Sequence, residues 1–323
     1  MSVLEVKNLK VSFHTVMGKV EAVKGVNLQV NSGEVLGIIG ESGSGKSVTS
    51  LAIMGLINSA TGLVESGEIL FEGRNLINLN EKEMCKVRGD KISMIFQEPM
   101  TSLNPVVTIY KQLREVYKIH RPNKKNNCKD ELVELLTKLN IPDAKGVLNK
   151  YPFELSGGLK QRIMIAMAMI CKPSFIIADE PTTALDVTTQ SEIINLLKQI
   201  KEESNSGIML ITHDLGIIAE MAQRVAVMYY GKVVEECSIN DFFDNARHPY
   251  SQDLLGAMPE NFNGRFKSIE GNVPNLYEDI KGCPYYKRCK KRIQKCENSQ
   301  PPMMDLNDNH RVRCFRYEKG DGK

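Results

Sequence analysis

The stretch EVLGIIGESGSGKSVTSLAIMGLI, residues 34–57, reads as strand, glycine-rich loop and helix. EVLGIIG is a short apolar strand, and SVTSLAIMGLI has helical spacing. Between them, Gly40-Glu41-Ser42-Gly43-Ser44-Gly45-Lys46-Ser47 has the form G-x-x-x-x-G-K-[ST]. Triphosphate oxygens are crowded and anionic. Glycines let backbone N–H groups turn inward around them, and the following helix presents its N-terminus to the charge. Lys46 is expected to reach the β- and γ-phosphates of ATP and Ser47 to ligate Mg²⁺. With Val48 these residues form the candidate nucleotide-binding set. A chance match in a glycine-rich turn would not require the strand before and the helix after, and both are present.

Outward from the loop, strands and helices alternate. LEVKNLKVSF and VEAVKGVNLQV near the N-terminus alternate apolar and polar residues, as half-buried strands do. GEILFEGRNL and KISMIFQ (91–97) are further strands. From Pro99 the character changes. TIYKQLREVYKIH and KDELVELLTKLN are amphipathic helices and RIMIAMAMIC a more apolar one, so residues from about 99 to 170 form an expected helical insertion. SFIIADE, GIMLITH and RVAVMYYGKVVEE restore strand character, with a turn at Tyr230-Gly231 and the helix SEIINLLKQIKEE among them. Beyond about residue 240 the pattern is irregular, with His248-Pro249 and Pro259 breaking it. Short apolar strands alternating with helices imply a largely parallel sheet and an α/β fold.

SFIIADE places Asp179 and Glu180 at the end of an apolar strand, where Asp179 can sit near Mg²⁺ and Glu180 can polarise an attacking water. An acidic turn after a strand is common by itself. The phosphate loop gives it weight, because phosphoryl transfer depends on positioning and charge. In Leu155-Ser156-Gly157-Gly158-Leu159-Lys160-Gln161-Arg162 a Ser-Gly-Gly opens an apolar helix, a second anion-binding helix start. One nucleotide does not need two such sites from one chain, so this one is expected to face ATP held by another subunit. In isolation it would read as an ordinary helix start with a serine cap.

These motifs, in this order, resemble the ATP-binding cassette family from Leu4 to about Glu236. GESGSGKS is similar to its Walker A loop, Gln97 to its Q-loop, LSGGLKQR to its signature and FIIADE to its Walker B strand. Ala184-Leu185-Asp186 is similar to the D-loop, His213 in ITHD to the switch histidine, and Phe13 to the aromatic that stacks on adenine. Leu159 departs from the commonest signature, which has Gln. The resemblance implies a P-loop NTPase (RecA-like) core with an N-terminal antiparallel β subdomain and an inserted α-helical subdomain. It also implies roles. Lys46, Ser47 and Asp179 hold phosphate and Mg²⁺, with Gln97 sensing the metal and the water. Glu180 is the general base, and His213 contacts the γ-phosphate. Ser156, Gly157 and Gly158 complete the partner's site.

The HPY segment from His248 to Leu255, Ala257-Met258-Pro259, Gly271-Asn272-Val273-Pro274 before Gly282-Cys283, and Glu98 to Pro105 resemble the D-type ATPase of oligopeptide and dipeptide importers. That resemblance implies two transmembrane permease subunits, a second homologous ATPase, an extracytoplasmic peptide-binding protein and a peripheral place on the cytoplasmic face of the inner membrane. Nickel importers use similar cassettes. Soluble cassette ATPases that act on DNA or ribosomes carry a long coiled coil or two cassettes, and neither pattern occurs here. A redox sensor on an inactive cassette would not need intact Lys46, Glu180 and His213.

Residues 1–240 are therefore expected to be the cassette and 241–323 a small cysteine-rich C-terminal extension. Cys283, Cys289, Cys296 and Cys314 share its last part. In a cytosolic chain clustered cysteines suggest metal or redox chemistry, not disulfides. Four thiolates suit Zn²⁺ or an iron–sulfur cluster; reduced, packed thiols are the third reading. The spacings exceed those of ordinary zinc pairs, and relatives carry a similar tail, which is consistent with [4Fe–4S]. So few apolar residues are expected to order only around a bound centre. Residues 281–323 carry 12 Lys or Arg against 5 Asp or Glu, whereas the remaining residues carry 30 against 34. This excess would offset an anionic cluster or meet a membrane surface. Sparse aromatic residues make nucleic acid a poor partner.

The 323 residues, 42% hydrophobic and 25% charged, suffice to bury a core. The longest apolar run, Ile163 to Cys171, is far shorter than a membrane span, and the N-terminal stretch lacks the apolar run of a leader, so a cytosolic chain is expected.

Overall fold

The computed structural model describes residues 1–97, 102–121, 128–183, 185–258, 269–307 and 309–318. Glu98 to Thr101, Ala184 and Pro259 of the motifs above lie outside the described residues. In chain order, β1 (Ser2–Thr15) and β2 (Gly18–Asn31) precede β3 (Val35–Ile39), α1 (Lys46–Ile53), β4 (Gly62–Phe71) and the short β5 (Arg74–Asn75). Helix α2 (Glu81–Val87) leads to β6 (Ile92–Ile95), then α3 (Ile109–His120), α4 (Cys128–Lys138), α5 (Ala144–Val147) and α6 (Gly157–Met169). Next come β7 (Phe175–Asp179), α7 (Val187–Ser204), β8 (Gly207–Ile211), α8 (Leu215–Met221), β9 (Arg224–Tyr229) and β10 (Lys232–Ser238). The last part holds α9 (Ile239–Asn245), α10 (Pro249–Gly256), α11 (Lys295–Asn298), β11 (Met304–Asn307) and β12 (His310–Val312). The chain divides into two compact units, one of Met1–Val3, Val30–Glu34 and Asn78–Ile211, the other of Leu4–Gln29, Val35–Ile77 and Thr212–Lys323.

In the first unit β6, β7 and β8 pair in parallel, with Ile92 opposite Phe175 and Ile177 opposite Met209. Every residue of these strands is buried. Their unbroken apolar runs, without alternation, are what a parallel sheet covered on both faces requires. Helix α3 buries Ile109, Leu113 and Tyr117, and α4 buries Cys128, Leu132 and Leu136, each one stripe at i, i+4, i+8. Helix α6 is apolar almost all round and is buried accordingly. Each such Leu or Ile contributes about 1.5–3 kcal/mol before chain entropy is counted.

The second unit holds a sheet of order β2-β1-β4-β5 in which β1–β4 and β4–β5 are antiparallel. It also holds β3 parallel to β9, followed outward by antiparallel β10, β12 and β11. Helix α1 ends sooner than its apolar pattern. Gly55 takes φ +62, its N–H bonds Ala52 O at 3.0 Å and that of Leu56 bonds Leu51 O at 2.8 Å. That pair of bonds is a Schellman stop, and glycine adopts the left-handed turn without a side-chain clash.

Two helices carry little sequence signal, and one sequence expectation differs from the structure. Helix α2 carries little periodicity because it buries only Met84; its signal is the Asn80–Glu83 capping box. Helix α8 likewise starts on the cap of Asp214. The region after residue 240 is not irregular, since α9 and α10 run through it, and Pro249 begins α10 instead of breaking it. At the first helical position proline's missing N–H costs nothing.

The C-terminal segment is anchored to the second unit by its own backbone and charges. Strand β12 pairs with β10, placing Glu235 opposite Val312 and Glu236 opposite Arg311. Buried Glu235 accepts from His310 Nε2 at 2.7 Å and from the backbone N–H of Arg247 and His248 at 2.6 and 2.9 Å. Arg224 and Arg311 both pair with Glu236. Tyr285 packs against Tyr229 and Tyr250, with ring centroids 5.2 and 5.4 Å away, each such pair adding about 0.5–1.5 kcal/mol beyond burial. Arg311 and His310 of the tail are thus engaged inside the fold, and the segment has anchors besides any bound centre.

His248 caps α10 through Nδ1, which accepts the Tyr250 N–H at 3.1 Å. Burial pushes its pKa down from 6.5 to about 4, against the pull of Glu235. A histidine held neutral contributes stability that is complete above its unfolded pKa and is lost as pH falls toward the folded one. The expected loss from this group is about 2 kcal/mol by pH 5 and about 3 kcal/mol by pH 4. His248→Asn keeps a cap acceptor without titrating, so urea unfolding of that variant should lose less stability between pH 7 and 5 than the parent. Equal losses would refute the assignment.

Candidate active site

The sequence-predicted residues fall into two sets, one in each compact unit. In the second unit, β3 delivers the chain into the phosphate loop and α1 leaves it. Gly40 takes φ +147, and a Cβ there would lie 2.1 Å from Met228 O, so no larger residue fits. Gly45 precedes α1 at φ +102 with no side-chain cap, leaving the helix N–H groups directed at the loop. Buried Ser44 Oγ has no hydrogen-bond partner. Buried Lys46 extends its ammonium to Gly40 O at 2.7 Å and Glu41 O at 3.1 Å. Ser42, Gly43 and Ser47 are exposed, and Val48 is half-buried. Helix N–H groups, an orphaned buried hydroxyl and a cation on loop carbonyls suit an anion with many oxygens. In the same unit Phe13 stands opposite Gly62 in the β1–β4 ladder, and a Cβ on Gly62 would meet its ring at 2.8 Å. His213 is exposed, ahead of the Asp214 cap of α8.

In the first unit Asp179 is buried at the end of β7. Glu180 follows with φ +47, a left-handed conformation that costs a non-glycine residue about 1–3 kcal/mol. Its N–H bonds Ile211 O at 2.8 Å, which helps hold the turn. The Glu180 carboxylate is then met by two donors at Oε2, Gln97 Nε2 at 2.8 Å and Thr183 Oγ1 at 2.8 Å. Strand β6 ends two residues before Gln97 and pairs with β7, which is how the fold brings residues 97 and 180 together.

Ser156 caps α6, its Oγ accepting the Leu159 N–H at 3.4 Å, and Ser156 and Gly157 are exposed. Gly158 packs so close to α7 that a Cβ would lie 2.7 Å from Thr189 Cγ2. Leu159 is half-buried beside buried Lys160, Gln161 and Arg162. Gln161 bonds Pro181 O at 2.6 Å, and Arg162 bonds Leu139 O at 2.8 Å and pairs with Glu192, which ties the helix start to its surroundings. Asp186 caps α7, accepting from Thr189 N and Oγ1 at 3.0 and 2.8 Å, and these bonds hold its carboxyl below the usual range.

Cys283, Cys289, Cys296 and Cys314 are unbridged, and all but half-buried Cys283 are buried. Cys283 N–H bonds Cys296 O at 2.7 Å, and Gly282 approaches that carbonyl so closely that a Cβ would lie 2.4 Å from it. Burial, then the charges of the other three thiols, push the Cys283 thiol up to about 12. No three of them lie within 4.8 Å of one another. Among the described residues the group that does is Glu235, Cys237 and His310, whose carboxylate is already taken by the bonds above.

Sequence reasoning missed Thr183, whose signal was only its place three residues after Glu180. It also missed Tyr250 and Arg288, which touch Glu41 and have no local signal.

Residues 23–183 match the family model described as "ABC transporter", and residues 234–296 match "Oligopeptide/dipeptide transporter, C-terminal region". The chain is 44% identical to the oligopeptide transport ATP-binding protein AppD of Bacillus subtilis (strain 168), over 98% of each chain. It is 46% identical to the dipeptide transport ATP-binding protein DppD of the same organism, over 98% of this chain and 95% of that one. Among solved structures it is similar to the dimeric post-hydrolysis state of the ATP-binding cassette MJ0796 bound to ADP and Pi. That match has a TM-score of 0.64 at 30% identity, covering 73% of this chain and 98% of that one.

Proposed function

The chain belongs to the ABC transporter ATPase family, and from that premise we propose that it hydrolyses ATP to drive peptide uptake through an importer. The match of residues 234–296 to the oligopeptide/dipeptide transporter C-terminal region carries the peptide assignment. Peptide-import relatives aligned over nearly the whole chain support it. Among the described residues no helix is long and apolar enough to cross a membrane. In this reading two permease subunits form the path for peptide, as the importer relatives imply. A second homologous ATPase and an extracytoplasmic peptide-binding protein complete the assembly, with this chain on the cytoplasmic face of the inner membrane. Residues 1–240 form the cassette in this reading, with residues of about 99–170 as its helical part and 241–323 as the extension.

The loop from Gly40 to Val48 binds the triphosphate, with Lys46 reaching its outer phosphates, and Phe13 stacks on adenine. Ser47, Asp179 and Gln97 would hold Mg²⁺, which when bound draws negative charge from the phosphate oxygens. Glu180 takes the proton of the attacking water, with Gln97 and Thr183 fixing its carboxylate. His213 contacts the γ-phosphate. Ser156, Gly157 and Gly158 close the nucleotide site of the partner ATPase. The test is purification with the two permeases and the second ATPase, followed by ATP-dependent uptake of labelled peptide into vesicles. Assembly that hydrolyses ATP and takes up only nickel would overturn the peptide assignment.

Cys283, Cys289, Cys296 and Cys314 hold a [4Fe–4S] cluster in this reading, which supplies structural or redox-sensing chemistry and no step of hydrolysis. One zinc ion would need its thiolates about 3.8 Å apart, from Zn–S bonds of about 2.3 Å. No three of these sulfurs lie within 4.8 Å of one another, which disfavours one tetrahedral ion, and four thiolates from one segment would suit a cluster. Protein purified without oxygen is expected to be brown, with iron and sulfide at about four each per chain. Cys296→Ser should bleach it and leave nucleotide binding intact. Stoichiometric zinc without iron would overturn the cluster and keep the site.

A further inference from the structure

One residue of the phosphate loop is gripped from the C-terminal part of the chain. Glu41 donates its backbone N–H to Tyr250 Oη at 2.7 Å, and its carbonyl accepts from Lys46 Nζ at 3.1 Å. Its carboxylate takes two bonds from one guanidinium, Arg288 Nη1 to Oε2 at 2.6 Å and Nη2 to Oε1 at 3.0 Å. The Arg288 side chain is 3% exposed and that of Glu41 29%. Arg288 lies over the rings of Tyr229 and Tyr285, 5.9 and 5.7 Å from their centroids, and its Nε donates to Glu270 O at 3.0 Å. This is the planar fork geometry that arginine supplies and lysine does not.

We propose that Arg288 is a positioning residue for ATP binding and hydrolysis, acting through Glu41 to hold the phosphate loop in the shape that receives the triphosphate. The inference rests on reading residues 40–47 as the triphosphate cradle. A loop with glycines at 40, 43 and 45 has much backbone freedom to lose when it closes on a ligand. A tie made before the ligand arrives removes part of that cost. It also fixes Lys46, because the carbonyls of Gly40 and Glu41 carry its ammonium. Arg288 spends its charge on Glu41 and so acts without touching the nucleotide. Arg288 adjoins Cys289, whose N–H bonds Tyr285 O at 2.9 Å, so the tie begins inside the four-cysteine segment.

The test uses the full chain, titrated with MgATP and assayed for hydrolysis with its partner subunits. Arg288→Met, which keeps length and removes the fork, is expected to raise KM for ATP about tenfold, with a smaller change in kcat. Arg288→Lys should recover only part of the loss. Glu41→Gln should raise KM in the same direction, and the double variant should be no worse than the worse single one, because both remove one interaction. In ligand-free protein the amides of residues 40–47 should exchange faster in Arg288→Met than in the parent. A staple that only stabilises the fold would lower Tm and leave KM and loop exchange unchanged, and that result overturns the proposal. Should Arg288→Met fail to fold, Glu41→Gln at its partly exposed position decides by the same two readouts. Lys46→Ala separates the premise from the inference. Unchanged MgATP binding there removes the cradle reading and the proposal with it. Weakened binding there, with parental KM in Arg288→Met and Glu41→Gln, removes the tie alone.

Discussion

ATP hydrolysis is expected to fall about 10²–10⁴-fold in Glu180→Gln while ATP binding persists. The substitution keeps the shape of the side chain and removes its capacity to take a proton. Nothing in the phosphate loop changes, so MgATP should still bind, and with its partner ATPase the variant should accumulate as an ATP-dependent closed dimer. The two donors at Oε2, Gln97 and Thr183, orient the carboxylate and make it a poor candidate for a surface acid. The amide that replaces it can still accept one of those bonds, so the turn at φ +47 should survive. Phosphate release under single-turnover conditions, beside size-exclusion chromatography with and without ATP, reads both effects. Hydrolysis at the unmutated rate would remove Glu180 from the mechanism.

The largest stability effect is expected at Glu235. Glu235→Ala strips the acceptor from His310 Nε2 and from the N–H groups of Arg247 and His248, all donors in a buried setting. Breaking such a network costs about 3–5 kcal/mol, a fall in Tm on the order of 10 °C for a chain this long. Burial alone would push the Glu235 carboxyl up, but His310 and the two backbone donors outweigh it and hold the pKa below its ordinary value. A depressed carboxylate contributes stability that is present above its unfolded pKa and is lost as pH falls through the folded one. The parent should therefore lose stability toward acid, and the alanine variant should lose less over the same range. Since the donors lie in β12 and just before α10, limited proteolysis of the variant should start in the C-terminal segment. A Tm within about a degree of the parent would show that the network is not stabilising.

Local order along the chain was legible. EVLGIIG, SFIIADE and GIMLITH are buried strands because an apolar run of that length has no polar face to expose. The stripe of Leu132 and Leu136 announces α4. Helix α2 escaped notice because most of it is exposed, and its only mark is a cap. The helices after residue 240 are obscured by prolines, which usually break a helix, although Pro249 stands where a helix accepts one.

What the sequence by itself determined is everything carried by spacing along the chain: the strand, loop and helix of the phosphate site, the capped start of α6, the alternation that makes parallel strands and the order of motifs that names the family. These follow from backbone geometry, whose periods of 2 and 3.6 residues are written into any apolar pattern. Only the tertiary structure decided which distant groups meet. Gln97 reaches Glu180 across 83 residues, Glu235 meets His310 across 75, and Arg288 reaches Glu41 across 247. Such pairs leave no period in the sequence. Each is one charged or polar side chain near another, and its place is set by how strands register and segments dock. The left-handed turn at Glu180 is of the same kind, because nothing in SFIIADE signals a strained residue until the neighbouring strand supplies the carbonyl that its N–H bonds.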